Sequence, residues 1–213
     1  TWTDSSGRMW FQLSTGTAAD NTLYVQGSYS GSGVDIGSYV ERVKFDNDVV
    51  WDLTNGLSLN DNDEAHAIYG TTQADVIKGN GGNDSLYGYA GNDILIGGAG
   101  RDYLVGGTGD DTYVFGINFS SGGSGTEYVY ELTGEGTDTI HFMDDITPGD
   151  VLSWTDSSGR MWFQLATGTA ADNLMYVQGS YSGSGVDIGS YVEQVTFEDQ
   201  TVWDLTDGLE MND

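Results

Sequence analysis

The sequence predicts an all-β fold with a parallel β-roll at its centre, and three observations predict it. A nine-residue unit recurs between Ile68 and Phe115. Each unit joins a glycine-rich half to a half in which an apolar residue follows an aspartate by two positions. Helical 3.6-residue periodicity is sustained nowhere, so strands and turns are left to build the chain.

The units are GTTQADVIK from Gly70, GNGGNDSLY from Gly79, GYAGNDILI from Gly88, GGAGRDYLV from Gly97 and GGTGDDTYV from Gly106. Their aspartates are Asp75, Asp84, Asp93, Asp102 and Asp111, and the apolar residues are Ile77, Leu86, Leu95, Leu104 and Tyr113. Glycine permits positive φ, so successive carbonyls of the first half can turn towards one point. The second half suits a very short strand that buries its apolar residue, because strand side chains alternate between faces. Two units make a turn of about eighteen residues, so units alternate between two sheets and each Asp stacks over the Asp two units away.

Flanking segments repeat each other. Trp2 to Asp61 returns as Trp154 to Asp213 with about four in five positions identical. The expected organisation is a β-rich flank at 1–61, the roll at 62–116 and a β-rich C-terminal flank at 117–213, of which 154–213 repeats 2–61. Asp213 is the counterpart of Asp61, which directly precedes the central units, so the sequence predicts a piece of a longer tandem array with neighbouring copies of the same module as partners. Short β segments are expected at Arg8 to Leu13, Leu23 to Gln26, Tyr39 to Phe45 and Val49 to Leu53, with equivalents in the second copy. The GSYSGSGVDIGSY stretches from Gly27 and Gly179 read as surface loops.

Charge narrows the function. The chain has 33 acids against six bases, a formal net charge of -27, which excludes sequence-independent affinity for nucleic acid. Stacked aspartates at strand spacing repel unless a cation lies between them, and a hard ion that takes six to eight oxygens fits such loops. Ca2+ meets that need; magnesium, with its strict octahedron and retained waters, fits poorly. There is no cysteine, which is compatible with a secreted protein held by metal rather than by disulfides and equally with a cytosolic one. No apolar run approaches the roughly 18 residues that cross a bilayer, so no membrane insertion is expected.

These units resemble the GGxGxDxUx nonapeptides of the RTX (repeats-in-toxin) family, and the YVE-V-F…VWDL pattern of the flanks resembles segments of hemolysin-type calcium-binding proteins. The resemblance implies a right-handed parallel β-roll with calcium between its turns. Each ion would take the carbonyls of positions two and four plus the Asp of one turn, and the carbonyls of positions one and three plus the Asp of the next. One implied set is Asn80, Gly82, Asp84, Gly97, Ala99 and Asp102; a second is Tyr89, Gly91, Asp93, Gly106, Thr108 and Asp111. A third is Thr71, Gln73, Asp75, Gly88, Ala90 and Asp93, where Gln73 replaces the usual glycine and has to tolerate the same backbone geometry. His66 stands where the preceding frame calls for Asp, and imidazole is a poor ligand for a hard cation, so it reads as a satisfied residue at the end of the roll.

Enzyme signatures are missing: the sequence contains no HExxH, no G-x-S-x-G, no Walker loop and no GxGxxG opening a helix. The expected function is therefore non-enzymatic, a calcium-binding module that folds after export and serves as a structural or adhesive repeat of a large secreted or cell-surface bacterial protein. The alternative is an accessory stability and secretion module of a secreted RTX enzyme, which a catalytic domain in the parent sequence would reveal. Nonapeptide strands also place Ile94 and Ile96 on the outside of the roll, where a flank or a self-associating second copy is expected to cover them.

Overall fold

A computed structural model of the chain describes residues 55–61, 63–117, 119, 125–131, 135–166, 173–178 and 191–206, together with strand backbone between Trp2 and Asp52 and at Ser180–Ser182 and Gly185–Asp187. Apart from one short 3-10 turn at Pro148–Asp150, the elements named across these residues are strands. Accordingly, no helix among them is long and apolar enough to cross a membrane.

Two seven-stranded sheets form the centre. Along the first lie Ser58–Asn60, Val76–Gly82, Ile94–Gly100, Thr112–Phe115, Thr139–Phe142 and Gln194–Phe197, each parallel to the next, closed by antiparallel Val202–Asp204. Along the second lie Ala67–Tyr69, Ser85–Ala90, Tyr103–Thr108, Glu127–Tyr130 and Leu174–Val177, again parallel, followed by antiparallel Met161–Leu165 and Val151–Thr155. Consecutive nonapeptides therefore fall on opposite sheets, as a two-unit turn requires.

Register follows the nine-residue pattern. Position eight stacks as Leu59, Ile77, Leu95, Tyr113, Ile140 and Val195 on the first sheet, and as Ile68, Leu86, Leu104, Val129 and Val177 on the second. All are fully buried or nearly so. Each such side chain contributes about 2 kcal/mol of burial, the apolar half of the roll's stability.

The duplicated flank forms the same hairpin in both copies, since Met9 pairs with Val25 and Met161 with Val177. In the second copy that hairpin joins the roll through Leu174–Val177 and turns the sheet antiparallel, which ends the open parallel edge. The GSYSGSGVDIGSY stretches depart from the loop expectation: Ser28–Ser30 pairs with Gly33–Asp35, and Ser180–Ser182 with Gly185–Asp187. A Gly-Ser pair separates these strands in sequence, and that chemistry favours a two-residue hairpin connection.

Outward positions are half-buried along each ladder because neighbouring rungs shield one another. On the second sheet this face is aromatic: the rings of Tyr69 and Tyr87 stack at 5.1 Å, Tyr103 and Tyr128 lie 4.8 Å apart, and Tyr128 and Tyr176 lie 4.7 Å apart. On the first sheet Ile94 is 39% exposed, so no described residue supplies the cover expected over it.

Candidate metal centre

The site starts from where the nonapeptide puts its carboxylate. Asp75, Asp84, Asp93, Asp102 and Asp111 stand two positions before the buried apolar residue, on the same inward face, and none is more than 2% exposed. One oxygen of each accepts a backbone N–H from the turn before. The N–H of Asp75 donates to Asp93 Oδ1 at 2.7 Å, Asp84 to Asp102 Oδ1 at 2.8 Å and Asp93 to Asp111 Oδ1 at 2.8 Å. Leu57 and His66 donate in the same way to Asp75 and Asp84.

The second oxygen behaves differently. Oδ2 of Asp84, Asp93, Asp102 and Asp111 is buried without a hydrogen-bond partner. A buried acceptor left unsatisfied costs about 1–3 kcal/mol, more when charged. These four atoms need a positive partner.

Glycine at position one makes room beside them. A Cβ at Gly79 would meet Asp84 Oδ2 and the Gly97 carbonyl, each at 2.5 Å, and one at Gly88 would run into Asp93 Oδ2 and the Gly106 carbonyl. Carboxylate and carbonyl thus converge on one glycine in both implied sets. Positions two and four hold positive φ: Asn80 at 69°, Gly82 at 116°, Tyr89 at 80° and Gly91 at 114°. For Tyr89 this is an uncommon conformation that costs about 1–2 kcal/mol, the kind of strain that gathers where a site is built.

Strand register brings the remaining residues of the two sets together. Asn80 lies opposite Gly98 and Gly82 opposite Gly100, with Gly81 opposite Ala99; Tyr89 lies opposite Gly107 and Ala90 opposite Thr108. The Gly91 N–H donates to the Thr108 carbonyl at 2.9 Å, which leaves that oxygen a second lone pair. The donors are carboxylates and carbonyls throughout, a hard-oxygen set suited to calcium.

The third implied set is built otherwise. Thr71 and Gln73 are not among the positive-φ residues, so Gln73 does not take the geometry required of it. Asp75 Oδ2 accepts the Thr71 N–H at 2.5 Å and its hydroxyl at 3.0 Å, while Oδ1 accepts from Leu57. Protein donors reach both oxygens of this carboxylate, while a Cβ at Gly70 would meet Asp75 Oδ2 at 2.7 Å and the Gly88 carbonyl at 2.6 Å, the same convergence as in the other two sets. At the same end His66 bonds Asp61 through Nδ1 at 2.7 Å.

Two carboxylates of the ladder escape the sequence reading. The Asp102 N–H donates to Glu127 Oε2, and the Asp111 N–H donates to Asp138 Oδ1, both at 2.9 Å. Their signals are GGSGTEYVY from Gly122 and TGEGTDTIH from Thr133, further units displaced from the nine-residue frame. Glu in place of Asp hides the first, and the intervening Glu131-Leu132 shifts the second.

Burial raises these acids: Asp93 to about 8, Asp111 and Asp138 to about 7, and Asp75, Asp84 and Asp102 to about 6. Raised folded values mean that the metal-free fold binds protons the unfolded chain has released, so its stability falls as pH rises from about 4 to 8. With a cation bound the carboxylates stay ionised, and protons compete instead. In a chelator, urea midpoints are expected to be higher at pH 5 than at pH 8, whereas calcium affinity rises over the same window. A chelated chain more stable at pH 8 contradicts this ordering.

Comparison with known proteins agrees with the geometry. Residues 69–104 and 87–118 match the RTX calcium-binding nonapeptide repeat (4 copies). The chain carries RTX calcium-binding repeats. Comparison with curated protein sequences yields no match. Among solved structures it is similar to the AlgE6R3 subunit of the Azotobacter vinelandii mannuronan C5-epimerase, at 23% identity over 71% of this chain and 88% of that one, with a TM-score of 0.43. It is also similar to the AlgE6R2 subunit of that epimerase, at 23% identity over 67% and 92% of the two chains, with a TM-score of 0.41.

Proposed function

We propose that this RTX-repeat chain is a calcium-dependent structural module of a large secreted or cell-surface protein, unfolded during export and folded outside the cell. The observation that carries the reading is the row of four buried Oδ2 atoms, on Asp84, Asp93, Asp102 and Asp111, that lack a hydrogen-bond partner among the described residues. Asn80, Gly82, Asp84, Gly97, Ala99 and Asp102 hold one ion; Tyr89, Gly91, Asp93, Gly106, Thr108 and Asp111 hold another. Bound calcium supplies the positive charge that lets stacked carboxylates stay ionised in a dry interior.

Everything else is the work of the chain. Glycines bring carbonyls and carboxylates to the same point, position eight buries the apolar ladder, and the flank ends the sheets with antiparallel strands. Calcium is scarce inside cells and millimolar outside, and extracellular modules of this kind bind with Kd of about 10⁻⁴–10⁻³ M. Folding is thus tied to arrival. The duplicated flanks support use as a tandem structural unit with its own copies as neighbours.

Calcium titration of the chain, followed by far-UV circular dichroism, tests this. The expected result is a cooperative gain of β signal with a midpoint between about 0.1 and 1 mM. Full β signal at submicromolar calcium, unchanged on addition of millimolar calcium, overturns it.

A further inference from the structure

The two copies of the flank share their internal pairing but not their neighbours. Trp2 lies opposite Trp10 as Trp154 lies opposite Trp162, and Val43 opposite Trp51 as Val195 lies opposite Trp203. Outside itself, each copy meets the roll at a different end. The C-terminal copy takes the last rungs, because Leu174–Val177 pairs in parallel with Glu127–Tyr130, and Gln194–Phe197 with Thr139–Phe142. The N-terminal copy stands at the first rungs. Cα atoms of Trp2–Thr3 come within 8 Å of those of Ala67–Tyr69, and Cα atoms of Gly33–Asp35 within 8 Å of those of Ser85–Ala90. The next strand after Val50–Asp52 is Ser58–Asn60, the first rung of the first sheet.

The repeated sequence thus carries two docking surfaces, and each copy leaves unused the one that the other fills. In the N-terminal copy Thr22–Gln26, the counterpart of Leu174–Val177, is an edge strand. Arg42–Lys44, the counterpart of the Gln194–Phe197 strand, pairs only with Val50–Asp52 among the described strands. In the C-terminal copy Val151–Thr155 and Val202–Asp204 are the outer edges of the two large sheets. Each of these edges exposes an apolar side chain, Leu152 at 54% and Val202 at 53%, whereas outward residues inside the sheets are mostly half-buried by the rungs on either side. An unpaired edge that shows apolar surface is a template for a further strand. Trp2, the counterpart of Trp154, lies beside Ala67–Tyr69, which identifies the strand that fits.

We propose, resting on the reading of this chain as a calcium-dependent unit of a tandem array, that the flank is a coupler between rolls. Each flank closes the roll before it and at the same time seats the first rungs of the roll after it. Successive rolls are therefore joined end to end rather than strung on free linkers. The partner of Val151–Thr155 and Val202–Asp204 is the start of a second copy of the roll, Ser58–Asn60 and Ala67–Tyr69. The partner of Thr22–Gln26 is the end of another copy, Glu127–Tyr130. Such a contact joins two different surfaces, so it builds a line instead of a closed pair.

Sedimentation velocity of the full 213-residue chain at saturating calcium tests the coupler. Met175→Asp with Val177→Asp puts two charges into fully buried positions and lifts the C-terminal flank off Glu127–Tyr130. The bared end of the roll is then open to the N-terminal flank of another molecule. The expected result is head-to-tail assembly, with a sedimentation coefficient that climbs with chain concentration. Adding Leu23→Asp and Val25→Asp, at the counterpart positions, should return the chain to monomer. A first variant that keeps its circular dichroism yet stays monomeric, or an assembly that survives the second pair of substitutions, overturns the coupler alone. If the first variant does not fold in calcium, the parent decides. Refolded by calcium at about 1 mM chain, near the effective concentration of a short tether, neighbouring flanks compete with the chain's own, and swapped oligomers form that Leu23→Asp with Val25→Asp abolishes. Refolding to monomer alone at that concentration overturns the coupler. A parent that shows no calcium-dependent folding overturns the underlying reading and the coupler with it.

Discussion

Removing calcium at pH 8 is expected to unfold the roll over residues 63–117. Its ladder places Asp75, Asp93, Asp111 and Asp138 on successive rungs of one sheet and Asp84, Asp102 and Glu127 on those of the other. Rungs are about 4.8 Å apart. Two unit charges at that distance repel by about 3 kcal/mol at an effective dielectric of 20, so five neighbouring pairs amount to about 15 kcal/mol. Uptake of protons relieves part of this, which makes the figure an upper bound, and at pH 8 that relief is smallest. A domain has about 5–15 kcal/mol in hand. Ionised and unpaired, the ladder is large enough to consume that margin. A chelator should abolish amide protection along Val76–Gly82, Ser85–Ala90 and Ile94–Gly100. It should also carry the radius of gyration from the ~17 Å of a compact chain of this length towards the ~50 Å of an unfolded one. Unchanged protection and size after chelation would falsify the claim that the cation offsets this repulsion.

The legible part of this fold is the part written with a fixed period. Ile77, Leu86, Leu95, Leu104 and Tyr113 announce the core because strand geometry forces one residue of each unit inward. The aspartates announce the site because nothing else explains a buried carboxylate two places before each of them. What escapes is whatever depends on insertion or on a local hydrogen bond. Asp138 is eleven residues beyond Glu127 rather than nine, so a fixed frame passes over it, although the two sit on opposite sheets as neighbouring units do. Gln73 looks like a tolerable replacement in sequence, yet it does not take positive φ, and the neighbouring Thr71 hydroxyl and N–H donate to Asp75.

Asp93→Ala is expected to lower the stability of the calcium-loaded chain by about 2 kcal/mol more than Asp84→Ala. Both losses remove a ligand, but the groups they abandon differ. Asp93 Oδ1 accepts the N–H of Asp75, a residue 1% exposed, and that donor has no water to turn to. Asp84 Oδ1 accepts the N–H of His66 at the half-buried end of the roll, where solvent can take over. Asp93→Asn separates charge from packing, since its amide oxygen still accepts from Asp75 and its amide N–H faces the Gly106 carbonyl. In calcium this variant should be less stable than the parent, having lost a charged ligand. In chelator at pH 8 the order should reverse, because the central charge between Asp75 and Asp111 is gone while every hydrogen bond is kept. Urea midpoints of parent and variant, measured with and without calcium, would therefore cross. If Asp93→Asn is the weaker protein under both conditions, repulsion along the ladder is not what calcium relieves, and Asp93 acts through its hydrogen bonds alone.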